Sequence, residues 1–280
     1  MKRNEDIEFL TAPLTMIDYH VHTSLCNHAT GTMEAYVQAA IDKNLSTICF
    51  LDHLTFQAGG REQAMHPDEV SGYVDAARRL ARQYRSTIDV RVGLEVDFSP
   101  RHVDQCIQIV NRFDLDVVGG SVHFIDGQDV VSGRSAWSRG ELNTGRVYRR
   151  YLEVLESMLD YDYLDVVCHL DLPKKFGNRP SPSVRQGFVN LLGKIKARNL
   201  AIELNTSGFR YPVKEAFPSQ DLLKRCARLQ IPVVTGSDAH SPAAVGRDFG
   251  PAKKLLQAAG YRHLTAFCHR QRECVPLRDA

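Results

Sequence analysis

The 280-residue chain has no excess of either charge, no paired CxxC cysteines and no apolar run of about 18 residues, and each absence removes a class of protein. Lys and Arg total 35 against 33 Asp and Glu, a formal charge of +2. Like charges gather no further than pairs such as Arg78-Arg79 and Lys174-Lys175, so a broad nucleic-acid surface is not expected. Without a long apolar run no membrane-spanning helix is expected. The opening stretch, MKRNEDIEFLTAPL, carries acidic side chains where a secretion signal needs apolar ones, so the expectation is a soluble, cytoplasmic protein. The seven cysteines, at 26, 49, 106, 168, 226, 268 and 274, are odd in number and scattered, which argues against a disulfide framework and a thiolate zinc knuckle. A hydrophobic fraction of 43% is enough to bury a full core and excludes a disordered chain.

What is present is alternation. Apolar, β-branched runs at 15–22 (TMIDYHVH), 46–53, 90–98, 116–124, 164–172, 200–207 and 231–240 predict seven buried strands. Between them, segments such as 32–44, 67–84, 147–160, 183–198 and 219–230 repeat apolar residues at three- and four-residue spacing and predict amphipathic crossover helices. Seven strand and helix units without a composition break favour one closed parallel α/β barrel over two open sheets. One domain over 1–280 is expected, with a core of about 15–260 and a C-terminal strand or hairpin at 264–276 packed on the barrel. Residues 132–146, rich in Gly, Ser and Arg and holding the only Trp at 137, predict a long loop of the kind that often covers an active site.

Functional groups of a parallel barrel gather where the strands end, because the loops there share one mouth. His20 and His22 close the first strand, Asp52 and His53 the second, Glu95 and Asp97 the third, His123 the fourth, His169 the fifth, and Asp238 and His240 the seventh. In His20-Val21-His22 alternation sends both imidazoles to one face, and Asp238-Ala239-His240 reads as a repeat of that geometry. One histidine at a strand end is ordinarily a hydrogen-bonded structural residue. So many together are not explained by packing, since burying such groups unpaired costs several kcal/mol. Imidazole with carboxylate suits zinc, manganese or iron, and the number of donors exceeds what one ion can use.

The run DYHVHTSLCNHATG resembles the first motif of the polymerase-and-histidinol-phosphatase (PHP) superfamily, and FLDH, GLEVDF, GSVHF, HLDLPKKFG, ELNTSGFR and GSDAH resemble its later motifs in order. Within it the chain is most similar to the monofunctional histidinol-phosphate phosphatases. The resemblance implies a distorted (β/α)7 barrel with three divalent metal ions at the C-terminal ends of its strands. It implies that His20, His22, Glu95 and Asp238 hold the first ion, that Glu95 bridges to a second held by His123 and His169, and that His28, His53 and His240 hold the third. His28 lies six residues past His22 in a loop, where periodicity alone does not find it.

Two ions sharing a carboxylate also share a water acidic enough to supply hydroxide at neutral pH, so no Ser or Cys nucleophile is required. Arg210 is the expected phosphate clamp, because guanidinium binds two phosphate oxygens at once; Lys174 and Lys175 are the other basic candidates. Asp97, two residues past Glu95, is expected on the same side, to protonate a leaving alkoxide or hold a substrate ammonium. Asp52 is expected to orient neighbouring ligands. Cys168 precedes His169, and alternation turns it away from the site. His66, His102, His263 and His269 are assigned to surface or capping roles. By resemblance the reaction is hydrolysis of L-histidinol phosphate in histidine biosynthesis, and the partner a small phosphorylated molecule. The alternatives are another small phosphate or nucleotide, an amidohydrolase-type site, which carries a Lys bridge where this chain has Glu95, and a metal-stabilised module without activity.

Overall fold

The computed structural model describes residues 16–277, so the reading of the opening stretch lies outside the described residues. The apolar runs become β1 (Ile17–Val21), β2 (Thr47–Leu54), β3 (Asp89–Asp97), β4 (Val117–Ser121), a short hairpin of β5 (Phe124–Ile125) and β6 (Gln128–Asp129), then β7 (Val166–Val167), β8 (Ala201–Asn205) and β9 (Val233–Gly236). Seven of these form a parallel sheet in the order β1-β2-β3-β4-β7-β8-β9. Its residues are buried on both faces, which is why the strands read as continuous apolar runs.

The crossovers are α1 (Met33–Asp42), α2 (Val70–Tyr84), α3 (Val103–Arg112), α4 (Thr144–Met158), α5 (Pro182–Ala197) and α6 (Gln220–Arg228), and α7 (Phe249–Ala259) follows the last barrel strand. Their starts are set by local chemistry: the Thr32 and Asn143 side chains accept from the amides of Ala35 and Arg146, and Ser181 caps α5 ahead of Pro182. In α2, Val70, Tyr73, Val74, Ala77 and Leu80 form the face that packs on the sheet, and the Tyr73 hydroxyl donates to the Gly93 carbonyl of β3 at 2.8 Å.

The sheet closes almost completely into a distorted (β/α)7 barrel. Between β9 and β1 the bridge among the described residues is Val21 with Ala239, where the His22 amide donates to the Ala239 carbonyl at 2.9 Å. Below it side chains replace the ladder. Thr235 Oγ1 donates to the Ile17 carbonyl, and the buried Asp18 accepts from the Ser237 amide at 2.9 Å and the Gly246 amide at 2.8 Å.

Two strand expectations are corrected. The fifth barrel strand was expected over 164–172 but is only Val166–Val167, because the chain leaves the ladder at Cys168, His169 takes φ +23°, and a 3-10 turn follows at Leu172–Phe176. The seventh ends at Gly236, so Asp238 is aimed by a left-handed turn (φ +54°) and not by strand alternation. The C-terminal segment forms a hairpin of β10 (His263–Cys268) and β11 (Gln271–Pro276). It covers the end of the barrel opposite the strand C-termini: the Tyr19 hydroxyl donates to the Phe267 carbonyl, Arg270 pairs with Asp165, and the His269 amide donates to Asp116. The 132–146 loop is a pinned wall. Trp137 is fully buried, its Nε1 donates to the Pro173 carbonyl at 2.9 Å, and its carbonyl accepts from Asn178. Among the described residues no helix is long and apolar enough to cross a membrane.

Candidate metal centre

Parallel register sets the core of the site. Glu95 on β3 lies level with His53 on β2 and with Gly119 on β4, so the carboxylate has an imidazole on one side and room on the other. Glu95 Oε2 lies 2.8 Å from His53 Nδ1 and 3.3 Å from His20 Nε2; Oε1 lies 2.7 Å from His169 Nε2 and 3.6 Å from His123 Nε2. His22 Nε2 is 3.2 Å from Asp238 Oδ1, and the His22 ring stacks on that of His240 at 4.1 Å. The His28 ring lies 4.5 Å from that of His240 and 5.5 Å from that of His53. All nine side chains that the family pattern names therefore meet at one mouth, although they come from six strand ends and a loop. The His28 loop is shaped by Thr23, whose side chain caps a 3-10 turn at Ser24–Cys26, and by Asn27 in the left-handed region.

Most of the rings are tethered on one nitrogen. His20 Nδ1 is held by Glu203 at 2.6 Å, His22 Nδ1 by Asp52 at 3.4 Å, His28 Nδ1 by the Cys26 carbonyl at 2.7 Å and His240 Nδ1 by the Asp238 carbonyl at 3.1 Å, while His123 Nδ1 lies 3.5 Å from Asp97. Their Nε2 atoms are left to face the cluster, the arrangement by which proteins orient imidazole ligands. His20 Nε2, His240 Nε2 and Glu95 Oε2 are buried with no hydrogen-bond partner among the described residues, as donors awaiting a cation would be.

The charge state agrees. Burial opposes ionisation of Glu95 and Asp238, but the imidazoles around them hold both well below the usual carboxylate range. Burial also opposes protonation of His20 and His22, yet Glu203 and Glu95 hold the first well above its ordinary value, and Asp238 and Asp52 bring the second to about 9. Burial pushes His123 well down and His240 to about 2. Without cations the cluster keeps its carboxylates ionised with protons favoured on His20 and His22, while burial favours the neutral, metal-binding form of His28, His123 and His240, so the donor set fits divalent metal.

The cluster opens into a cavity of about 490 Å³ whose wall includes Asp97, Phe124, Asp129, Lys175, Arg210 and Tyr211. Arg210 Nη2 donates to the Ser237 carbonyl at 2.9 Å, while Nη1 has no hydrogen-bond partner among the described residues and lies 3.6 Å from Asp248. Lys175 Nζ donates to the Val131 carbonyl at 2.8 Å and lies 4.1 Å from the Tyr211 ring centre; burial lowers its pKa. Asp97 accepts from the His123 amide, Thr55 and Gln57, and burial pushes it up to about 7.

Lys174 is corrected. It is 1% exposed and points into the protein, where Nζ pairs with Asp171 at 2.9 Å and donates to the Ala216 carbonyl at 2.8 Å. The 3-10 turn after β7 sends consecutive lysines to opposite sides, which a reading of an exposed basic pair does not foresee. Cys168 is corrected as well. The bend at His169 turns its sulfur inward, where it packs against Gly119 and comes within 4.8 Å of donor atoms of His20 and Glu95, as a buried thiol pushed up to about 12 by burial. Glu203 is the residue that sequence reasoning missed. It sits inside β8, two residues before the strand ends at Asn205, and so lies away from the strand ends where donors were sought, although an acidic side chain in the apolar run AIELN was the available signal.

A nearly closed parallel barrel that gathers imidazoles and carboxylates from six strand ends beside a cationic pocket defines a metal-dependent hydrolase of the α/β-barrel class. The PHP domain family matches residues 18–207, and a PHP-associated region matches 223–248. The chain belongs to the PHP domain family. It is 36% identical over 260 residues to a probable histidinol-phosphatase of Deinococcus radiodurans, covering 91% of this chain and 98% of that one. A histidinol-phosphatase of Bacillus subtilis is 27% identical, over 82% of this chain and 95% of its own. In fold, the chain is similar to the histidinol phosphate phosphatase of Lactococcus lactis, whose crystal structure holds zinc, L-histidinol and phosphate, with a TM-score of 0.82, 22% identity and coverage of 92% and 99%.

Proposed function

We propose that the chain is a metal-dependent phosphomonoesterase that hydrolyses L-histidinol phosphate to L-histidinol and phosphate, a step of histidine biosynthesis, and that it acts as one catalytic domain in the cytoplasm on a small phosphorylated partner. The observation that carries the chemistry is the convergence of nine donors on a cavity of about 490 Å³ that also holds Lys175 and Arg210. The substrate name is supported by relatives that match this chain along nearly its whole length.

His20, His22, Glu95 and Asp238 would hold a first ion; Glu95, His123 and His169 a second; His28, His53 and His240 a third, with zinc, manganese or iron suited to the mixed nitrogen and oxygen donors. Bound ions of this kind supply an acidified water and offset phosphate charge. The chain does the rest. Arg210, whose Nη2 is held by the Ser237 carbonyl and whose Nη1 makes no hydrogen bond among the described residues but pairs with Asp248 at 3.6 Å, lines the cavity and clamps the phosphate. Lys175, fixed over Tyr211, adds a second positive charge. Asp97, held in the cavity wall by Thr55 and Gln57, stands where it can pass a proton to the leaving alkoxide or seat a substrate ammonium.

Phosphate release should be measured from histidinol phosphate, sugar phosphates and nucleotides with manganese or zinc added. Histidinol phosphate is expected to be preferred by at least about a hundredfold in kcat/KM. Similar rates across the panel would reject this substrate and favour a broader phosphoesterase.

A further inference from the structure

We infer that Glu203 is a positioning residue that commits His20 to present its Nε2, and at the same time holds His169 in the turn that carries it into the site. The inference rests on the metal reading above and concerns how two ligands are oriented toward the ion.

Glu203 lies on β8, and β9 stands between it and His20 on β1. It reaches across because position 236 of β9 has no side chain: a Cβ there would overlap both the Glu203 carboxylate and the His20 Cβ. Oε1 then sits 2.6 Å from His20 Nδ1 and accepts from Asn205 Nδ2 at 3.2 Å, while Oε2 accepts from the His169 amide at 2.9 Å. A ring that binds metal must be neutral and then has one N–H, and an acceptor at Nδ1 keeps it there, leaving the lone pair on Nε2, which is buried and unpartnered among the described residues. The second oxygen replaces the ladder partner that His169 loses when the chain bends out of β7 at φ +23°.

Every group facing Glu203 is thus a donor, and this separates positioning from packing. Gln has nearly the same shape but carries an NH2. Turned toward His169, it would set donor against donor; turned toward His20, it would donate to Nδ1 and move the ring proton to Nε2, closing the ligand atom. A packing role predicts that Glu203→Gln is mild, whereas positioning predicts that it is nearly as harmful to metal binding as Glu203→Ala.

The test is titration of the chelator-stripped full chain with Co(II), followed by visible absorption and by counting bound metal. Glu203→Gln and Glu203→Ala should each weaken Co(II) binding by roughly 10–100-fold and alter the absorption bands, with the parental far-UV circular dichroism retained. Glu203→Asp, which keeps two acceptors on a shorter arm, should fall between these and the parent. Parental affinity and spectrum in Glu203→Gln would overturn the inference, as would a harmful Ala beside a neutral Gln. Should these variants not fold, Gly236→Ala displaces the carboxylate without removing it and must show the same weakening; unchanged Co(II) binding there refutes the idea. A parent chain that binds no Co(II) at all would instead strike at the metal reading beneath it.

Discussion

Replacing Glu95 by Gln probes the centre where its donors meet. Glu95 is completely buried and lies within 3.6 Å of nitrogens from His20, His53, His123 and His169. The amide preserves volume and removes the charge. In the metal-free chain Glu95 is ionised against the imidazoles around it, so removing its charge leaves a buried His20 without one of its two carboxylates and should itself cost stability. With metal the effect is large: a unit charge pair about 4 Å apart is worth roughly 4 kcal/mol at an effective dielectric of 20, or about a thousandfold in affinity. Thermal unfolding separates the two states. At an ion concentration about a hundred times its Kd, the parent gains about 2.7 kcal/mol, which for a chain of this size is roughly 5–10 °C. Glu95→Gln at that concentration should show no metal-dependent shift from its own metal-free midpoint, which should lie below the parent's, and phosphate release at background. Parental metal shift together with parental turnover would refute the bridging role.

The cationic side of the pocket gives two further predictions. Arg210→Ala should lower kcat/KM for histidinol phosphate by roughly 10–100-fold, the worth of about 1.5–3 kcal/mol for a charged hydrogen bond, and Arg210→Lys should not restore it because an ammonium lacks the planar fork; steady-state kinetics unchanged by either substitution would remove Arg210 from the clamp. The neighbouring lysines should behave oppositely. Lys174→Ala leaves Asp171 buried without its partner and should cost about 3–5 kcal/mol of stability, whereas Lys175→Ala should raise KM with little change in the melting midpoint. Thermal unfolding and KM measured side by side would show the reverse pattern if the two assignments were interchanged.

The sequence alone determined the barrel and the chemistry of its mouth. Buried parallel strands demand continuous apolar runs, and crossover helices demand a three-to-four repeat, so both are written locally in the chain. His20, His22, His53 and Glu95 were legible because they sit in or at the ends of strands, where position along the run fixes which end of the barrel a side chain reaches. His28 was legible only through family motifs, since a loop ligand has no period. Tertiary structure decided what depends on a turn or on a neighbour distant in sequence. The bend at His169 brings Cys168 inward, against what alternation predicts, and the left-handed turn at Asp238 does work assigned to a strand. The 3-10 turn after β7 separates Lys174, in the core beside Asp171, from Lys175 in the pocket wall. Glu203 shows the reason most directly: its partner His20 is 183 residues away, and the passage between them exists because a third strand offers a glycine at that level. Periodicity records which way a side chain points along its own element; what it meets there is settled when the elements are brought together.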